Sequence, residues 1–333
     1  MKKILITGAS GFIGSFIVEE ALKHDMETWA AVRGSSSKAY LQDKRINFIE
    51  LNLQSKEQLK EQLKDHSFDY VVHAAGVTKC IDKRDFRRIN TEGTKNLVMA
   101  LIELKMPLER FVFVSSLSVF GAIHEKQPYQ EIKETDTPQP NTEYGKSKLE
   151  AEQWLDSLTF HEFPYVILRP TGVYGPREKD YFLMAKSIRQ HSDFAVGFKR
   201  QDITFVYVSD VVDAVFLALE KGQIGRKYFL SDGEVYQSTT FSDLIREELG
   251  HPWWIRITAP VWVLRIVTFC GEYIGRWTGK ISALNNDKYN ILRQRNWRCD
   301  IEPARKELGY TPKVQLKEGV HKAITWYLEN KWL

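Results

Sequence analysis

The sequence predicts an α/β protein whose first part is a doubly wound parallel sheet of the Rossmann type, followed by a smaller, mostly helical C-terminal lobe. Two observations predict this fold class. Short β-branched apolar runs alternate with helical patterns through the first half of the 333 residues, which is typical of a parallel sheet covered on both faces. The regular alternation ends near residue 177. We therefore expect a Rossmann core over residues 1–176 and a second lobe over residues 177–333, with residues 204–230 returning to the core sheet.

Each predicted element is an apolar run of suitable length and period. The strand candidates are rich in Val, Ile and Phe, and they are Lys3–Thr7, Glu27–Arg33, Ile46–Leu51, Tyr70–His73, Phe111–Ser115 and Tyr165–Leu168. The helix candidates repeat apolar residues at helical spacing, and they are Phe12–His24, Lys56–Lys64, Arg87–Lys105 and Glu143–Ser157. Two later strand candidates, Thr204–Val208 and Lys227–Leu230, are expected to join the main sheet.

Composition excludes several classes of function. The 47 basic and 43 acidic residues leave a net charge of +4, too little to predict a nucleic-acid partner from charge. Three cysteines without short spacing predict neither a disulfide framework nor a zinc site. We therefore expect no metal, and we expect a reducing, cytoplasmic setting. No signal peptide is predicted. The longest apolar stretch, Ala259–Gly271, is interrupted by Arg265 and falls short of the roughly 20 apolar residues of a transmembrane helix.

A glycine-rich loop, T-G-A-S-G-F-I-G, follows the first predicted strand and opens a helix. Glycines at this spacing let the backbone approach a pyrophosphate, whose charge is stabilised by the free N–H groups of the helix N-terminus. The alternative is a tight turn without a ligand, but the position within a βαβ unit favours a dinucleotide. The candidate contacts are Gly8, Ser10, Gly11, Phe12, Ile13 and Gly14.

The end of the second predicted strand distinguishes the two dinucleotides. NAD sites commonly place a carboxylate there for the ribose 2′-hydroxyl, whereas an arginine suits the 2′-phosphate of NADP. The loop here contains Arg33, Ser35, Ser36 and Lys38 and no carboxylate. We therefore predict NADP, with NAD as a possibility and a solvated basic loop as the alternative without a ligand.

A tyrosine and a lysine lie four residues apart in the segment Y-G-K-S-K, on one face of a predicted helix. A tyrosine that acts as a base near pH 7 needs its pKa lowered by roughly three units, and a neighbouring ammonium group together with an oxidised nicotinamide favours the phenolate. Ser116, just after a predicted strand, offers a hydroxyl that could hold a substrate oxygen beside the phenol. The sequence thus predicts Ser116, Tyr144 and Lys148 as catalytic residues.

Seven motifs in order resemble the extended short-chain dehydrogenase/reductase family, and the resemblance covers nearly the whole chain. Its motifs are the glycine loop, H-A-A-G at 73–76, N-T-E-G-T-K-N-L at 90–97, S-S-x-x-V-F-G at 115–121, Y-x-x-x-K at 144–148, R-P-T-G-V-Y-G-P at 169–176 and F-V-Y-V-S-D-V at 205–211. The resemblance implies an NADP-binding Rossmann core and a C-terminal substrate lobe. It also implies a homodimer formed through the helices at 87–105 and 143–157, and it lies nearer the reductase and hydroxysteroid-dehydrogenase members.

The same resemblance implies roles for individual residues. Ser118 is an alternative to Ser116. Asp210 is expected to cap a helix that begins near Ser209. Asn52 stands where the family usually has an aspartate near the adenine. Beyond the glycine loop, Arg33 and Ser35, the expected cofactor contacts are Asn52, Leu53, His73, Ala74, Ala75, Asn90, Ser115, Tyr144, Lys148, Pro170 and Val173.

Two departures from the family pattern bear on the substrate. Dehydratases of this family carry an Asp-Glu pair directly after the strand-end hydroxyl, where this chain has Leu117 and Ser118, so a 4,6-dehydratase is not expected. Many nucleotide-sugar enzymes carry an arginine shortly before the F-x-x-V-x-D segment. This chain reads Q-D-I-T at 201–204, which weakens the prediction of a nucleotide sugar.

The C-terminal lobe is rich in aromatic and basic residues. Seven of the nine tryptophans lie beyond residue 250, and residues 251–300 contain eight Arg or Lys against three Asp or Glu. Such a surface could bind a bulky apolar or anionic substrate, or lie against a membrane or a partner. The alternative is an amphipathic core helix at Ala259–Trp277 with a solvated basic face.

The function that these patterns favour is an NAD(P)-dependent oxidoreductase that transfers a hydride between the nicotinamide and a carbinol or carbonyl carbon of a small alcohol or ketone. One alternative is a redox-neutral nucleotide-sugar epimerase that holds its cofactor tightly. A third hypothesis is a non-catalytic NADP-binding regulator, against which the intact Tyr144 and Lys148 argue.

Overall fold

The computed structural model describes residues 1–158, 163–278 and 285–333. A parallel sheet of seven strands lies at its centre, in the order β11-β6-β5-β4-β1-β2-β3. The strands of the chain are β1 (Lys3–Thr7), β2 (Glu27–Val32), β3 (Asn47–Glu50), β4 (Tyr70–His73), β5 (Arg110–Val114), β6 (Tyr165–Pro170), β7 (Gly172–Tyr174), β8 (Ser192–Val196), β9 (Asp202–Ile203), β10 (Phe205–Tyr207), β11 (Lys227–Leu230), β12 (Tyr236–Gln237) and β13 (Ile255–Ala259).

The helices lie on both faces of the sheet and in the C-terminal lobe. They are α1 (Phe12–Lys23), α2 (Lys56–Leu63), α3 (Arg84–Phe86), α4 (Gly93–Glu103), α5 (Glu143–Asp156), α6 (Lys179–Arg189), α7 (Val208–Lys221), α8 (Thr240–Glu248), α9 (Val261–Thr278), α10 (Asn286–Arg293) and α11 (Leu316–Glu329). The predicted helix Arg87–Lys105 is divided into a π-helical segment, Arg87–Glu92, and α4. The doubly wound α/β architecture with a C-terminal lobe is confirmed.

The period of two along each strand explains the two layers. Ile4 and Ile6 of β1 pack into one buried cluster with α1 and α7, whereas Leu5 packs into a second cluster with α2, α4 and α5. Strand order reverses between β1 and β4, and in open α/β sheets ligands bind outside the carboxyl ends of the strands at such a point. The fold thus places the ends of β1, β4 and β5 at one crevice.

Of the two later strands expected in the main sheet, one lies there and the other does not. The strand at Lys227–Leu230 lies at the edge of the main sheet beside β6, but the predicted strand Thr204–Val208 does not join that sheet. It forms β10, which pairs with β7, because Phe205 and Tyr207 pack with Tyr174 and α11 in a third apolar cluster.

Asp210 lies in the first turn of α7, which begins at Val208, and it does not cap that helix. Its carboxylate accepts a hydrogen bond from the Val314 amide at 3.1 Å, so it ties α7 to the loop before α11.

The helix α9 is not a core helix, contrary to one reading of the sequence. Leu264 and Thr268 are buried, but most of its large apolar side chains are exposed to solvent. Within the described ranges, no helix is long and apolar enough to cross a membrane. The lobe therefore presents an extended apolar surface that the remainder of the described chain leaves uncovered.

Candidate active site

The glycine loop closes tightly on the sheet and leaves one helix end open. Gly8 has a φ of +72°, and a Cβ there would lie 2.6 Å from the backbone of Ala74, so glycine is required. Gly11 precedes α1 without a side-chain cap, and the first turn of α1 contains no acidic residue. The first amides of α1 thus have no partner within the helix. This is an N–H cradle of the kind that fits a pyrophosphate.

The predicted residues of this loop lie together. Gly11 is exposed, Ser10, Phe12 and Ile13 are half-buried, and Gly14 is buried where α1 packs on the loop. Ala74 and Ala75, which follow β4, hydrogen-bond through their amides to Thr7 at the end of β1.

His73 has a structural role in this geometry. It is completely buried, and its two ring nitrogens contact the Thr7 and Thr94 hydroxyls at 2.6 and 2.9 Å. Burial, assisted by the positive charge of Lys148, lowers the pKa of His73 to about 3. The imidazole is therefore neutral at physiological pH and holds β1, β4 and α4 together below the crevice.

Asn52, at the expected adenine end of the crevice, uses its side chain for hydrogen bonds within its own turn. The side-chain amide of Asn52 donates to Gln58 at 2.7 Å, and its oxygen accepts the Gln54 amide at 3.1 Å, so both polar atoms are engaged within the turn before α2. Leu53 lies against Gly93 at the start of α4. Asn52 thus shapes this wall of the crevice, and its predicted contact with adenine stays a prediction.

The loop after β2 lies beside an acidic residue of β3 that the sequence patterns did not indicate. Arg33 and Ser35 are exposed at the end of β2, as a ribose-binding loop requires. Glu50 of β3 pairs in register with Val32, and its carboxylate accepts the Gly34 amide at 3.1 Å. The expectation of a loop without a carboxylate is therefore wrong in three dimensions, because the neighbouring strand supplies one.

The catalytic candidates meet at the carboxyl end of β5. Thr142 caps α5 by accepting the Gly145 amide at 2.9 Å, which fixes the start of the helix. A Cβ on Gly145 would lie 2.4 Å from the Ser118 carbonyl, so glycine allows α5 to approach the Ser116–Ser118 turn closely. Tyr144 is thereby held beside Ser116, with its side chain half-buried.

The two predicted serines lie together beside the phenol. Ser116 accepts the Ser118 amide and donates to its hydroxyl, both at 3.1 Å, so the two predicted serines form one polar group. Burial raises the pKa of Tyr144 to about 12, and its hydrogen bond with Ser116 opposes that rise. Tyr144 is therefore a neutral phenol that can donate a proton, and it needs additional positive charge beside it to act as a base.

Lys148 lies one turn after Tyr144 and is buried. Its ammonium donates to the Val114 carbonyl at 2.8 Å and lies 4.5 Å from the centre of the Phe113 ring. Burial lowers the pKa of Lys148 to about 8, and the Glu152 carboxylate opposes that shift. The lysine therefore has a pKa near physiological pH and is still mostly an ammonium group at pH 7. It lies at the floor of the crevice, next to Gly76.

A buried charge network continues along the same helix face. Glu152, four residues after Lys148, forms an ion pair with Arg169 of β6, and both side chains are almost fully buried. The Ser115 hydroxyl also donates to Glu152, so this predicted cofactor contact is engaged beneath the site. The i, i+4, i+8 spacing from Tyr144 is a sequence signal that could have identified Glu152.

Asn90 fastens the loop after β4 to α5. Its oxygen accepts the Val77 amide at 2.8 Å, and its nitrogen donates to the Val77 carbonyl and to the Ser147 hydroxyl, both at 3.0 Å. It lies within the π-helical segment, a distortion that frequently occurs at functional sites. These contacts order the loop and the helix beside the crevice, and the predicted contact of Asn90 with the cofactor stays a prediction.

The C-terminal lobe reaches the site through α10. The Asp287 carboxylate accepts the Glu143 and Tyr144 amides at 3.1 and 3.2 Å, at the start of the helix that carries the phenol. Lys288, the next residue, lies 3.5 Å from Asp180 of α6, which also pairs with Lys79. No local pattern predicts Asp287, because 143 residues separate it from Tyr144.

The remaining predicted contacts follow β6. Pro170 is buried at the end of that strand, and Val173 is half-buried in β7. Both lie on the chain that leaves the crevice toward the C-terminal lobe, and their contact with a cofactor stays a prediction.

Comparison with known proteins finds one family model and several relatives of similar length. The model of the NAD-dependent epimerase/dehydratase family matches residues 4–231. A UDP-glucose 4-epimerase of Vibrio cholerae is 29% identical, with 98% of this chain and 96% of that protein covered. A human dTDP-D-glucose 4,6-dehydratase is 27% identical over 99% and 91%. A Candida albicans sterol-4-alpha-carboxylate 3-dehydrogenase (decarboxylating) is 24% identical over 99% of each chain.

Solved structures show the same fold at lower identity. A dTDP-glucose 4,6-dehydratase from Streptomyces venezuelae with NAD bound superposes with a TM-score of 0.80 at 20% identity, covering 99% of this chain and 98% of that one. A Thermotoga maritima UDP-glucose 4-epimerase with UDP-glucose gives 0.78 at 23% identity and 99% coverage of both chains.

Proposed function

The chain is an enzyme of the NAD-dependent epimerase/dehydratase family, and within that family we propose that it inverts a hydroxyl-bearing carbon of a nucleotide sugar in a redox-neutral cycle. The observation that carries this proposal is the placement of Ser116, Tyr144 and Lys148 around one crevice, without an acid–base pair after Ser116. That set can move one proton beside a nicotinamide that would carry one hydride, and it lacks the additional groups that elimination of water needs. Full-length relatives named as epimerases favour the same conclusion over our sequence-based preference for a reductase.

Each of the three catalytic candidates has a defined task in this scheme. Tyr144 takes the hydroxyl proton when the carbinol is oxidised and returns it to the same oxygen when the ketone is reduced. Ser116 orients that oxygen, and the Lys148 ammonium adds positive charge beneath the site. Bound nicotinamide supplies the acceptor and donor of the hydride. Inversion would require the ketone to turn over in the crevice between oxidation and reduction, so that its opposite face is reduced.

The crevice fits a dinucleotide. The uncapped N-terminus of α1 provides amides for a pyrophosphate, and the close backbone of Gly8 and Ala74 leaves no side chain in the way. For the ribose we propose a preference for NADP, because the exposed Arg33 has no carboxylate partner within the described residues. Glu50 opposes this preference, since its carboxylate lies at the Gly34 amide.

A second candidate function is net oxidation or reduction of a bulky apolar alcohol or ketone. The observation that favours it is a groove of about 460 Å³ beside α9, with Ile266, Phe269 and Tyr273 in its wall. In addition, the segment where many nucleotide-sugar enzymes carry an arginine uses its polar side chains for hydrogen bonds within the protein. Gln201 donates to the Leu292 and Gln294 carbonyls, and Thr204 donates to the Trp297 carbonyl.

One experiment separates the two functions. The protein is incubated with catalytic NADP⁺ or NAD⁺ and a panel of UDP-, GDP- and dTDP-sugars, and products are identified by NMR. The epimerase function predicts conversion without net accumulation of reduced cofactor, and a cofactor that survives dialysis. Stoichiometric oxidation of NADPH by apolar ketones, without an epimer from any sugar, would assign the second function instead. Tyr144→Phe is the inactive control for both.

A further inference from the structure

The C-terminal lobe has an apolar face that no described part of the chain covers, which we name the α9 face. It consists of the exposed side of α9 and the outer side of the two-stranded β8–β13 sheet. Its large residues are Phe194, Phe198, Trp253, Ile255, Ile257, Trp262, Ile266, Phe269, Tyr273 and Trp277. Phe269 and Tyr273 are each 72% exposed and Trp277 is 86% exposed, so most of the surface of these side chains is in contact with solvent.

The two parts of the α9 face are structurally joined. Strand β13 pairs in parallel with β8, and Ile257 lies opposite Phe194 on the outer side, whereas Arg256 and Asp193 pair on the inner side. Two residues after β13 ends, α9 begins. Along α9 the exposed residues 262, 266, 269, 273 and 277 follow one another at helical spacing, and the opposite side contains the buried Leu264 and Thr268.

An apolar face of this extent marks an interaction site, since monomeric proteins rarely expose such contiguous patches. Its composition is specific. Tryptophan and tyrosine are the residues enriched where a protein meets the headgroup region of a bilayer, because each has an apolar ring and a polar atom. The α9 face has Trp253, Trp262, Trp277 and Tyr273.

The charges around the α9 face are mostly positive. Arg265 lies within it, and Lys199 and Arg295 lie where β8 leads toward α9, with the Arg295 guanidinium 3.0 Å from the Lys199 carbonyl. None of the three side chains forms an ion pair with a carboxylate within residues 1–158, 163–278 and 285–333, although the Glu125 carboxylate accepts the backbone amide of Arg295 at 2.7 Å. The nearby acid Glu272 is paired with Lys83. The surroundings are therefore positive.

This charge pattern decides between two occupants. In a two-fold dimer the same patch would face itself, so its unpaired cations would be brought toward cations of the second copy. An anionic lipid surface is complementary to them. We propose that the α9 face docks the enzyme on an anionic membrane surface, with α9 lying in the plane of the headgroups as a monotopic element.

Docking of this kind is consistent with the finding that no described helix can cross a bilayer, because the α9 face needs only to lie on the surface. It also orients the enzyme. The groove walled by Ile266, Phe269 and Tyr273 and bordered by Lys83 and Asn286 lies on this face, so it would open toward the lipid. Asn286 is the neighbour of Asp287, which contacts the helix of Tyr144.

The test is co-flotation of the full-length protein with vesicles. One set of vesicles contains equal parts of phosphatidylglycerol and phosphatidylcholine, and the other contains phosphatidylcholine alone. We expect the protein to float with the anionic vesicles and to be released by high salt. The face variant is Trp262→Ser/Phe269→Ser/Trp277→Ser, which should lower partitioning at least ~10-fold because it removes three apolar anchors.

Two further variants keep the test decisive. The matched control, Leu183→Ser/Val235→Ser/Leu328→Ser, removes three exposed apolar residues elsewhere and should float as the unchanged protein does. The charge variant Lys199→Glu/Arg265→Glu should lose binding to anionic vesicles while it keeps its apolar side chains. Circular dichroism establishes that each variant is folded.

The proposal is overturned if the unchanged protein does not float with anionic vesicles, or if the face variant and the matched control float equally. Sedimentation velocity tests the other occupant. A dimer of the unchanged protein that becomes monomeric in the face variant, without flotation, would assign the α9 face to a second copy. These measurements read binding alone, so their outcome is independent of the proposed reaction.

Discussion

The nucleotide-binding half and the C-terminal lobe place their apolar residues in opposite ways. Around the central sheet, Ile4, Val72 and Phe113 are completely buried between helical layers, and the polar groups of the site rise from strand ends. In the lobe, Ile257, Phe269 and Trp277 face water. The first arrangement is complete within one chain. The second leaves apolar side chains uncovered within the described residues, and by our proposal an external membrane surface covers them.

The two halves also differ in how charges are held. In the core, Glu152 and Arg169 are paired without access to water, and Lys148 is buried beside them. In the lobe, Arg265 and Lys199 are exposed and have no described acidic partner. Buried charges in the core depend on their partners, whereas the exposed ones are free to meet an external surface.

The largest effect is expected from the buried ion pair. Glu152→Ala removes the partner of Arg169 and leaves a buried cation, which typically costs about 3–5 kcal/mol. Chemical denaturation measures the free energy of unfolding. The matched control is Glu150→Ala on the same helix, whose exposed carboxylate pairs with Arg87 at 2.9 Å and contributes little. An equal decrease in the free energy of unfolding of the two variants would show that the buried Glu152–Arg169 pair does not contribute more than an exposed pair.

The next effect concerns catalysis. Tyr144→Phe removes the proton donor and acceptor but keeps the ring, so turnover should fall by roughly 10² or more while cofactor affinity and melting temperature stay unchanged. Tyr289→Phe on α10 is the control. Ser116→Ala and Ser118→Ala, measured together with it, show which hydroxyl orients the substrate. Normal turnover by the phenylalanine variant would remove Tyr144 from the mechanism.

The third effect concerns the ribose. Arg33→Ala should weaken NADPH binding by about 10- to 150-fold, the worth of one charge-assisted contact, and leave NADH affinity unchanged. Glu50→Gln should shift the preference further toward NADPH, because it removes a negative charge at the Gly34 amide. Lys44→Ala is an exposed control, and calorimetry measures all affinities. An unchanged ratio of affinities in the arginine variant would contradict the assignment.

How much could be predicted depended on the range of the interactions involved. The glycine loop, Tyr144 with Lys148, and the strand–helix alternation are local patterns, and the structure places them as one crevice. Glu50 and Asp287 act through contacts 16 and 143 residues along the chain, for which one sequence carries no signal. The strand at 205–207 has the same apolar character as the core strands. Its aromatic side chains select β7 and α11 as neighbours instead.

The α9 helix shows the converse limit. Its sequence has the apolar periodicity that usually indicates a core helix, and periodicity alone does not tell a core from an external apolar surface. Only the folded arrangement shows that Leu264 and Thr268 face the protein while Trp262 and Phe269 do not.

The smallest effect is a pH dependence that belongs to the core and not to the lobe. The folded protein lowers the pKa of His73 to about 3, because the ring is buried between Thr7 and Thr94, whereas the unfolded chain titrates near 6.5. Between these values the unfolded state binds one more proton, so stability is complete above pH 6.5 and is lost as the pH falls toward 3. The loss from this group is about 1.4 kcal/mol at pH 5.5. His73→Gln should flatten the dependence of unfolding free energy on pH over this interval, at the cost of a lower plateau. His251→Gln, an exposed histidine of the lobe, should leave the slope unchanged. If the two variants showed the same slope as the unchanged protein, burial of His73 would not be the source of acid sensitivity.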